Sequence, residues 1–322
     1  MARRSCPVCH LATVKKSHTA RAPEDLAAKS WPLIECAGCG LAYIPECPPP
    51  AALYTPTYYG QKSGFSNWIF EPFNQWWVRR KARRLMAIGE GFRWLDYGCG
   101  RGDLLSALKE EGADIWGIES QKDCADLLSK RWPGRMATSL EELNAPQDGW
   151  NGIALYHVLE HLEDPSKTLT HLRRLAAPHG VLFLAIPYWG SLERRLFGDR
   201  WFHFDAPRHV QHFSPDNLQR LLAQSDWTLK RVEFKLTAYD LFGFFQTLLN
   251  VGPGPRNYFY RWLKRSEMIQ DSSGWRLLGA IWNVVALVPA ALLTVLVVPV
   301  LVVVKRTGTF EVVACAKTIS PS

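Results

Sequence analysis

The sequence predicts a doubly wound α/β sheet with appendages at both ends, and three stretches carry that reading. The first is Trp94-Leu-Asp-Tyr-Gly-Cys-Gly-Arg-Gly-Asp103, where an apolar strand end (Phe92 to Leu95) delivers Asp96 into three alternate glycines. The second is Trp150 to Pro165, a buried strand running into His157-Val-Leu-Glu160-His161. The third is the return of short apolar runs between amphipathic stretches, the pattern of β-α-β units.

The N-terminal appendage is marked by Cys6-Pro-Val-Cys9 and Cys36-Ala-Gly-Cys39. Two such knuckles offer four thiolates for a structural, tetrahedral zinc. The 26 residues between them exceed the usual spacing of about 15–20 and lengthen the intervening loop. Neither pair opens a helix inside a βαβ unit, which argues against a redox role. Cys6, Cys9, Cys36 and Cys39 are therefore the expected zinc ligands of a ribbon over residues 1–48, with Cys47 and His10 as spare donors. A linker and covering helices follow over 49–90. Proline-rich Pro45 to Pro56 opens them, and Phe65 to Ile88 reads as one or two helices. That stretch carries Trp68, Trp76 and Trp77 beside Arg79, Arg80, Lys81, Arg83 and Arg84, which suits either a solvated charged face or a membrane interface.

Gly98, Gly100 and Gly102 let the backbone turn sharply and approach a ligand without a Cβ. The helix near Asp103–Glu111 then presents the free N–H groups of its first turn. Strand two, Asp114 to Ile118, ends in Glu119, 23 residues beyond Asp96. A helix over Lys122–Arg131 and a short strand near Arg135–Thr138 lead to Ser139-Leu140-Glu141-Glu142. Strand four is Gly152 to Tyr156. Asp164-Pro165 caps the next helix, which runs to Ala177. Strand five, Val181 to Ile186, opens a long loop containing His203, Asp205, Arg208, His209 and His212, and loops of that length are usually functional. A helix from Ser214-Pro215 to Gln224 and strand six, Thr228 to Lys235, complete the series. An acid at the spacing of Glu119 also serves nicotinamide-binding folds, whose glycines run Gly-x-Gly-x-x-Gly rather than the Gly-x-Gly-x-Gly seen here.

The motif from Asp96 to Gly102, with Glu119, resembles the S-adenosylmethionine (SAM) site of class I methyltransferases. His157-Val-Leu-Glu160-His161-Leu-x-Asp164-Pro165 resembles the branch holding the ubiquinone-biosynthesis O-methyltransferases and bacterial sugar and lipid methyltransferases. Pro207-Arg208-His209 and Phe213-Ser214-Pro215 extend the likeness. The resemblance implies a seven-stranded Rossmann-like sheet with Thr309 to Lys317 as its last strand. It implies that Asp96, Gly98, Gly100, Gly102 and His157 line the SAM site, that Glu119 takes the ribose, and that Ser139 and Leu140 meet the adenine. An acceptor hydroxyl must lose its proton, a task suited to a histidine titrating near neutrality. His161 and His209 are the candidate bases. Two other readings stand beside them: a structural His209, or a divalent ion on Glu160, His161 and a loop histidine.

A net charge of +8 suits an anionic membrane or nucleic acid, and the N-terminus has no apolar run of a secretory signal. Reduced cysteines and a cytoplasmic location are expected. Leu277 to Val304 carries no charge over 28 residues and is interrupted by Pro289 and Pro299. Strands six and seven belong to one sheet, so this segment must leave and return on the same side. Two arms of about 12–14 residues would each rise about 20 Å, short of a core about 30 Å thick. A re-entrant or interfacial hairpin on the cytoplasmic side of the membrane is therefore expected, with a single span or a buried pair as the alternatives. The domain plan is 1–48 ribbon, 49–90 linker and helices, 91–236 plus 307–318 methyltransferase, and 237–306 membrane-associated insertion. The partner expected is an amphiphilic or lipid-linked acceptor at a membrane surface. Nucleic acid would leave the apolar segment unexplained, and a non-catalytic SAM-binding scaffold would leave the intact glycine loop unexplained.

Overall fold

The computed structural model describes residues 5–21, 30–46, 53, 65–89, 91–264 and 274–317. Its first strands are β1 (Val14–Arg21), β2 (Ser30–Cys36), β3 (Ala42–Tyr43), β4 (Arg93–Tyr97), β5 (Asp114–Ile118) and β6 (Met136–Ala137). β7 (Trp150–Tyr156), β8 (Ala176–Pro187), β9 (Gln211–His212), β10 (Trp227–Glu233) and β11 (Thr309–Ala316) follow. The helices are α1 (Phe65–Ile88), α2 (Asp103–Glu110), α3 (Lys122–Arg131), α4 (Pro165–Leu175) and α5 (Leu192–Phe197). Beyond them come α6 (Pro215–Gln224), α7 (Ala238–Leu249), α8 (Tyr258–Lys264) and α9 (Gly274–Val303). Cys47, most of the linker to Pro56, Arg265 and the Trp68 side chain lie outside the described residues. The chain divides into two compact units.

The sheet unit comprises Phe70–Ile186, Leu218–Glu233 and Glu311–Ser322. Among the described residues its seven strands run β10-β11-β8-β7-β4-β5-β6. β11 pairs antiparallel with β10, whereas β4, β5, β6, β7 and β8 pair in parallel. The expected seven-stranded architecture, with the last strand inserted beside strand six, is borne out. Central parallel strands are covered on both faces and so read as apolar runs. Trp94, Leu105, Ile115, Phe183 and Val313 pack with Ala82 and Leu85 of α1. Burying a side chain the size of Phe183 stabilises the fold by about 2–3 kcal/mol. Gly152 is demanded by Trp94, because a Cβ there would lie 2.5 Å from the indole.

α1 is one helix that carries Pro72 within it. Its basic run pairs with carboxylates, on an exposed face at Arg79 and Arg83 and a partly covered one at Arg84. Arg79 and Arg83 meet Glu110 and Glu111, and Arg84 bonds both Glu233 and Glu311. The β10–β11 register sets Glu233 directly opposite Glu311, so two carboxylates face each other until Arg84 closes the gap. The exposed Arg79 pair contributes under about 1 kcal/mol, whereas the Arg84 bridge offsets the repulsion of a like-charge pair.

The second unit comprises Met1–Ile69, Pro187–Asn217 and Phe234–Phe310. Among the described residues its sheet has four strands in the order β1-β2-β3-β9, all antiparallel. The sheet of the expected ribbon thus takes its fourth strand from the loop after strand five. That loop packs here, not in the 91–236 domain to which the sequence assigned it. Its apolar rings need a face to cover: Trp189, Trp201 and Phe204 close over Leu33 and Ile44.

The expected hairpin within 277–304 is corrected to one 30-residue helix that passes through Pro289 and Pro299. Proline removes one helical N–H and bends a helix, but reversal needs turn residues. Asn283 to Val304 offers no glycine, asparagine or aspartate after its first residue. The reversal lies earlier, between α7 and α9. Phe244 packs against Val298 and Leu301, while Trp282 bonds the Leu249 carbonyl, so the two helices run in opposite senses.

Arg84→Met should lower the unfolding free energy in urea by about 2 kcal/mol, a buried-pair loss reduced by the solvent that reaches Arg84. Adding Glu233→Gln and Glu311→Gln should recover most of it. A full loss persisting in the triple variant would show that Arg84 acts through packing alone.

Candidate active site

The glycine loop follows β4, and all three glycines adopt left-handed backbone, with φ of 77° at Gly98, 54° at Gly100 and 76° at Gly102. Side chains are strained there. The loop is tied to the neighbouring strand: Gly98 N and Cys99 N donate to the Ile118 carbonyl at 2.8 and 2.9 Å. A Cβ on Gly98 would lie 2.5 Å from Val158 Cγ2, so the loop after β4 interlocks with the loop after β7. Gly102 is the N-cap of α2 and no side chain caps it among the described residues. The first-turn amides are thus presented at the loop, as an anionic ligand group requires.

Glu119 is buried at the end of β5. Its Oε2 accepts from Gly100 N at 2.9 Å and its Oε1 from Gln121 N at 2.9 Å. The backbone therefore aims this carboxylate at the loop. Asp96 is also buried, and burial above all pushes its carboxyl up to about 7. Glu119 and Asp103 push the same way, and Lys81 opposes them.

Lys81 escaped notice in the sequence, where it is one of five basic residues. Its signal is its place one helical turn before buried Leu85, on the inward face of α1. Its Nζ lies 3.5 Å from the Tyr156 ring centroid. Burial pulls its ammonium down to about 8, against the attraction of Glu311 and Asp96. Tyr156 ends β7, so this cation stands at the same strand edge.

His157 follows with φ of 53° and donates its N–H to the Ala185 carbonyl at 2.9 Å. Its Nδ1 is 3.4 Å from Glu160 Oε1. Burial, aided by Lys81, pulls its pKa down to about 3, so the imidazole is neutral at physiological pH. Glu160 and His161 lie in the short 3₁₀ turn Leu159–His161; Glu160 is fully buried and His161 half-buried. Ser139 and Leu140 follow β6, half-buried and buried respectively. Asp96, the three glycines, Glu119, Ser139, Leu140, His157, Glu160 and His161 all belong to the sheet unit.

His209 belongs to the other unit, where it has a structural partner: its Nδ1 is 2.8 Å from the His203 carbonyl. That bond makes Nδ1 the donor and leaves Nε2 to accept. Arg208 is held between Asp205 and the Leu53 carbonyl, both at 3.1 Å. In the same unit the sulfurs of Cys6, Cys9, Cys36 and Cys39 all lie within 4.8 Å of one another. Cys6 and Cys39 sulfurs are 3.5 Å apart, Cys9 and Cys36 3.3 Å, close to the edge of about 3.8 Å for sulfurs at 2.3 Å from a zinc ion. The two knuckles are near copies. His10 N donates to the Cys6 carbonyl and Gly40 N to the Cys36 carbonyl, and both residues are left-handed. His10 thus serves as a turn residue, as its spare status implied. The hydrogen bond between the Cys6 and Cys39 sulfurs lowers Cys6 to about 5 and raises Cys39, so the pair favours one thiolate.

The profile of the family described as a methyltransferase domain matches residues 67–232. The ubiquinone biosynthesis O-methyltransferase of Methylococcus capsulatus is 31% identical over 102 residues, covering 30% of this chain and 43% of that protein. The enzyme of that name from Bradyrhizobium diazoefficiens is 26% identical over 155 residues, 44% of this chain and 60% of its own. The chain spans about half the length of the curated relatives it matches. Among solved structures, a SAM-dependent methyltransferase from Archaeoglobus fulgidus superposes with a TM-score of 0.44 at 18% identity, over 78% of this chain and 100% of that one. A putative sarcosine dimethylglycine methyltransferase from Galdieria sulphuraria gives 0.48 at 12% identity, over 81% and 92%.

Two measurements check this geometry. Gly98→Ala should cost about 2 kcal/mol of stability through backbone strain and overpacking, and Gly98→Ala with Val158→Ala should lose less than the sum of the two single changes. Simple additivity would break the proposed interlock. His157→Asn keeps a residue tolerant of left-handed backbone. As pH falls from 6.5 toward about 3, the unfolded chain takes up a proton that native His157 refuses, so the wild type loses stability. The stability of His157→Asn relative to wild type should therefore rise as pH drops through that window, by at most about 1.4 kcal/mol per pH unit. A pH-independent difference would show that His157 titrates normally.

Proposed function

We propose that this chain, a SAM-dependent methyltransferase belonging to the methyltransferase-domain family, methylates an oxygen of an amphiphile at the cytoplasmic face of a membrane. A lipid-linked glycan or a quinone-like ring is the acceptor class. The observation that carries this reading is the presence of α9, a helix long and apolar enough to cross a membrane, in the same chain as the family domain. The curated relatives are named for ubiquinone biosynthesis, and an acceptor of comparable character suits an enzyme with such a helix. The pairing of Arg79, Arg83 and Arg84 with carboxylates speaks against nucleic acid on α1.

SAM supplies a methyl group on a positively charged sulfur, open to in-line displacement by an oxygen. The chain's own part is positioning, which accounts for much of the rate in such transfers. Gly98, Gly100 and Gly102 admit the cofactor close to the backbone, and the first turn of α2 receives an anionic group. The Glu119 carboxylate, already oriented by two backbone N–H groups, accepts hydroxyl donors. Asp96 and Lys81 set the local charge, while Ser139, Leu140 and His157 line the rim. His161 takes the proton released by the acceptor hydroxyl. Cys6, Cys9, Cys36 and Cys39 hold a structural zinc that stabilises the fold without entering the chemistry.

Transfer of radiolabelled methyl from SAM into a membrane-containing lysate, followed by solvent partition, tests the acceptor, with Gly98→Arg as the blank. Label in the organic phase is expected. His161→Gln should lower turnover by about 10²–10³-fold with SAM binding unchanged. Aqueous, nuclease-sensitive label would overturn the reading in favour of RNA, and loss with His209→Gln instead would move the base to His209. For the metal, one zinc per chain is expected by mass spectrometry. Cys36→Ser or a strong chelator should remove it and lower the melting temperature of the N-terminal sheet, leaving SAM affinity within about twofold. Metal-free protein with an unchanged melting profile would refute the zinc.

A further inference from the structure

We propose that α9 lies in the plane of one membrane leaflet, along the surface of its own unit, and does not cross the bilayer. The inference rests on the membrane reading above and gives it a geometry. Both ends of α9 are fastened to the same polar body. Near its start, Trp282 Nε1 donates to the Leu249 carbonyl at 2.9 Å. Gly279 there meets Gly254 so closely that a Cβ at 254 would lie 2.5 Å from Gly279 Cα. The loop carrying Gly254 is pinned by Arg200, whose Nη1 donates to the carbonyls of Val251 at 3.0 Å and Gly252 at 3.1 Å. Arg256 returns the bond, donating to the Asp199 carbonyl at 2.9 Å. Just beyond the end of α9, Leu192 N donates to the Arg306 carbonyl at 3.1 Å and Tyr188 N to the Gly308 carbonyl at 2.8 Å. The anchors for both ends, Tyr188 and Leu192 on one side and Asp199 and Arg200 on the other, sit in one short stretch of chain.

A spanning α9 would carry the loop around residues 250–257 to the far side, with Asp199, Arg200 and Arg256 bonded to it. Irregular backbone exposed to lipid is not found within the hydrocarbon, and each charge at its centre costs about 3 kcal/mol or more. The fold offers a different contact. Gly279, Asn283, Ala290, Thr294, Val298 and Leu301 form the buried face of α9. The opposite face is apolar along its whole length, from Leu277, 65% exposed, through Val284, Val288 and Val295 to Val303, 80% exposed. At about 1.5 Å per residue that face is some 40 Å long, with exposed Trp275 at its start and exposed Lys305 at its end. An uninterrupted apolar strip ending in an aromatic ring and a cation fits the boundary between lipid headgroups and acyl chains.

The test attaches nitroxide labels through a reactive unnatural amino acid at Val284, Val288, Val295, Val303 and, separately, Val251. The full-length protein is then bound to vesicles of phosphatidylethanolamine and phosphatidylglycerol. Four similar depths, about 5–10 Å below the headgroups, and a Val251 label reduced by external ascorbate are expected. A profile deepest at the middle of α9, with Val251 protected from ascorbate, would mean a span and overturn the in-plane geometry while sparing the membrane reading. Protein that stays in the supernatant would overturn the membrane reading itself. Labels immobilised without vesicles, in a dimer, would give the strip to a second copy and equally overturn the proposal. Val284→Lys with Val295→Lys should weaken vesicle binding at least about tenfold with SAM binding retained, and unchanged binding would sink the strip as the contact.

Discussion

Asp96, next to last in β4, has its carboxyl inside the protein, and a buried acid is costly unless charge or hydrogen bonding answers it. The surrounding strand ends are organised by that cost. Lys81 comes down from α1 over the Tyr156 ring to supply a cation, Glu119 is held by backbone amides, and His157 is kept neutral. The same helix settles a second conflict three residues on, where Arg84 bridges Glu233 and Glu311 across β10 and β11. α1 is therefore fixed to the sheet by two electrostatic needs as well as by Ala82 and Leu85. Charges held by the framework before a ligand arrives need little reorganisation during reaction, which is how such sites gain most of their effect.

The glycine loop depends on the neighbouring strand ends as much as on its own residues. Its amides hang from Ile118 and its first glycine is walled by Val158. Left-handed backbone at three alternate positions would be strained with side chains, and is stable here because β5 and β7 determine where the loop must turn. On the proposed reading, a methyl donor at this edge would meet a surface whose shape comes from three strand ends together. Positioning of that kind is the main demand of a displacement at carbon.

The second unit solves a different problem. A small antiparallel sheet with two cysteine knuckles has little core of its own, and below a certain size such sheets need a metal or added chain. Here the segment after β8 adds a strand and three aromatic side chains. The same segment then fastens both ends of α9. One stretch of chain thus completes the ribbon sheet and orients the apolar helix.

The sequence by itself determined the elements whose signals are local. Asp114–Ile118 and Lys122–Arg131 stand where alternation and amphipathic spacing put them, and the three glycines take the backbone that their lack of Cβ permits. The paired knuckles were equally legible, because a thiolate cluster needs only two short turns. Tertiary structure alone decided what depends on residues far apart in the chain. It assigned the loop after strand five to the N-terminal sheet, and it drew Lys81 over the Tyr156 ring and Arg84 onto Glu233 and Glu311 out of a basic run. It also placed the reversal of the apolar segment before Gly274, between α7 and α9, and not within 277–304. The reason is common to all three: a run of like residues says that burial or pairing must be satisfied, but only the fold says against what.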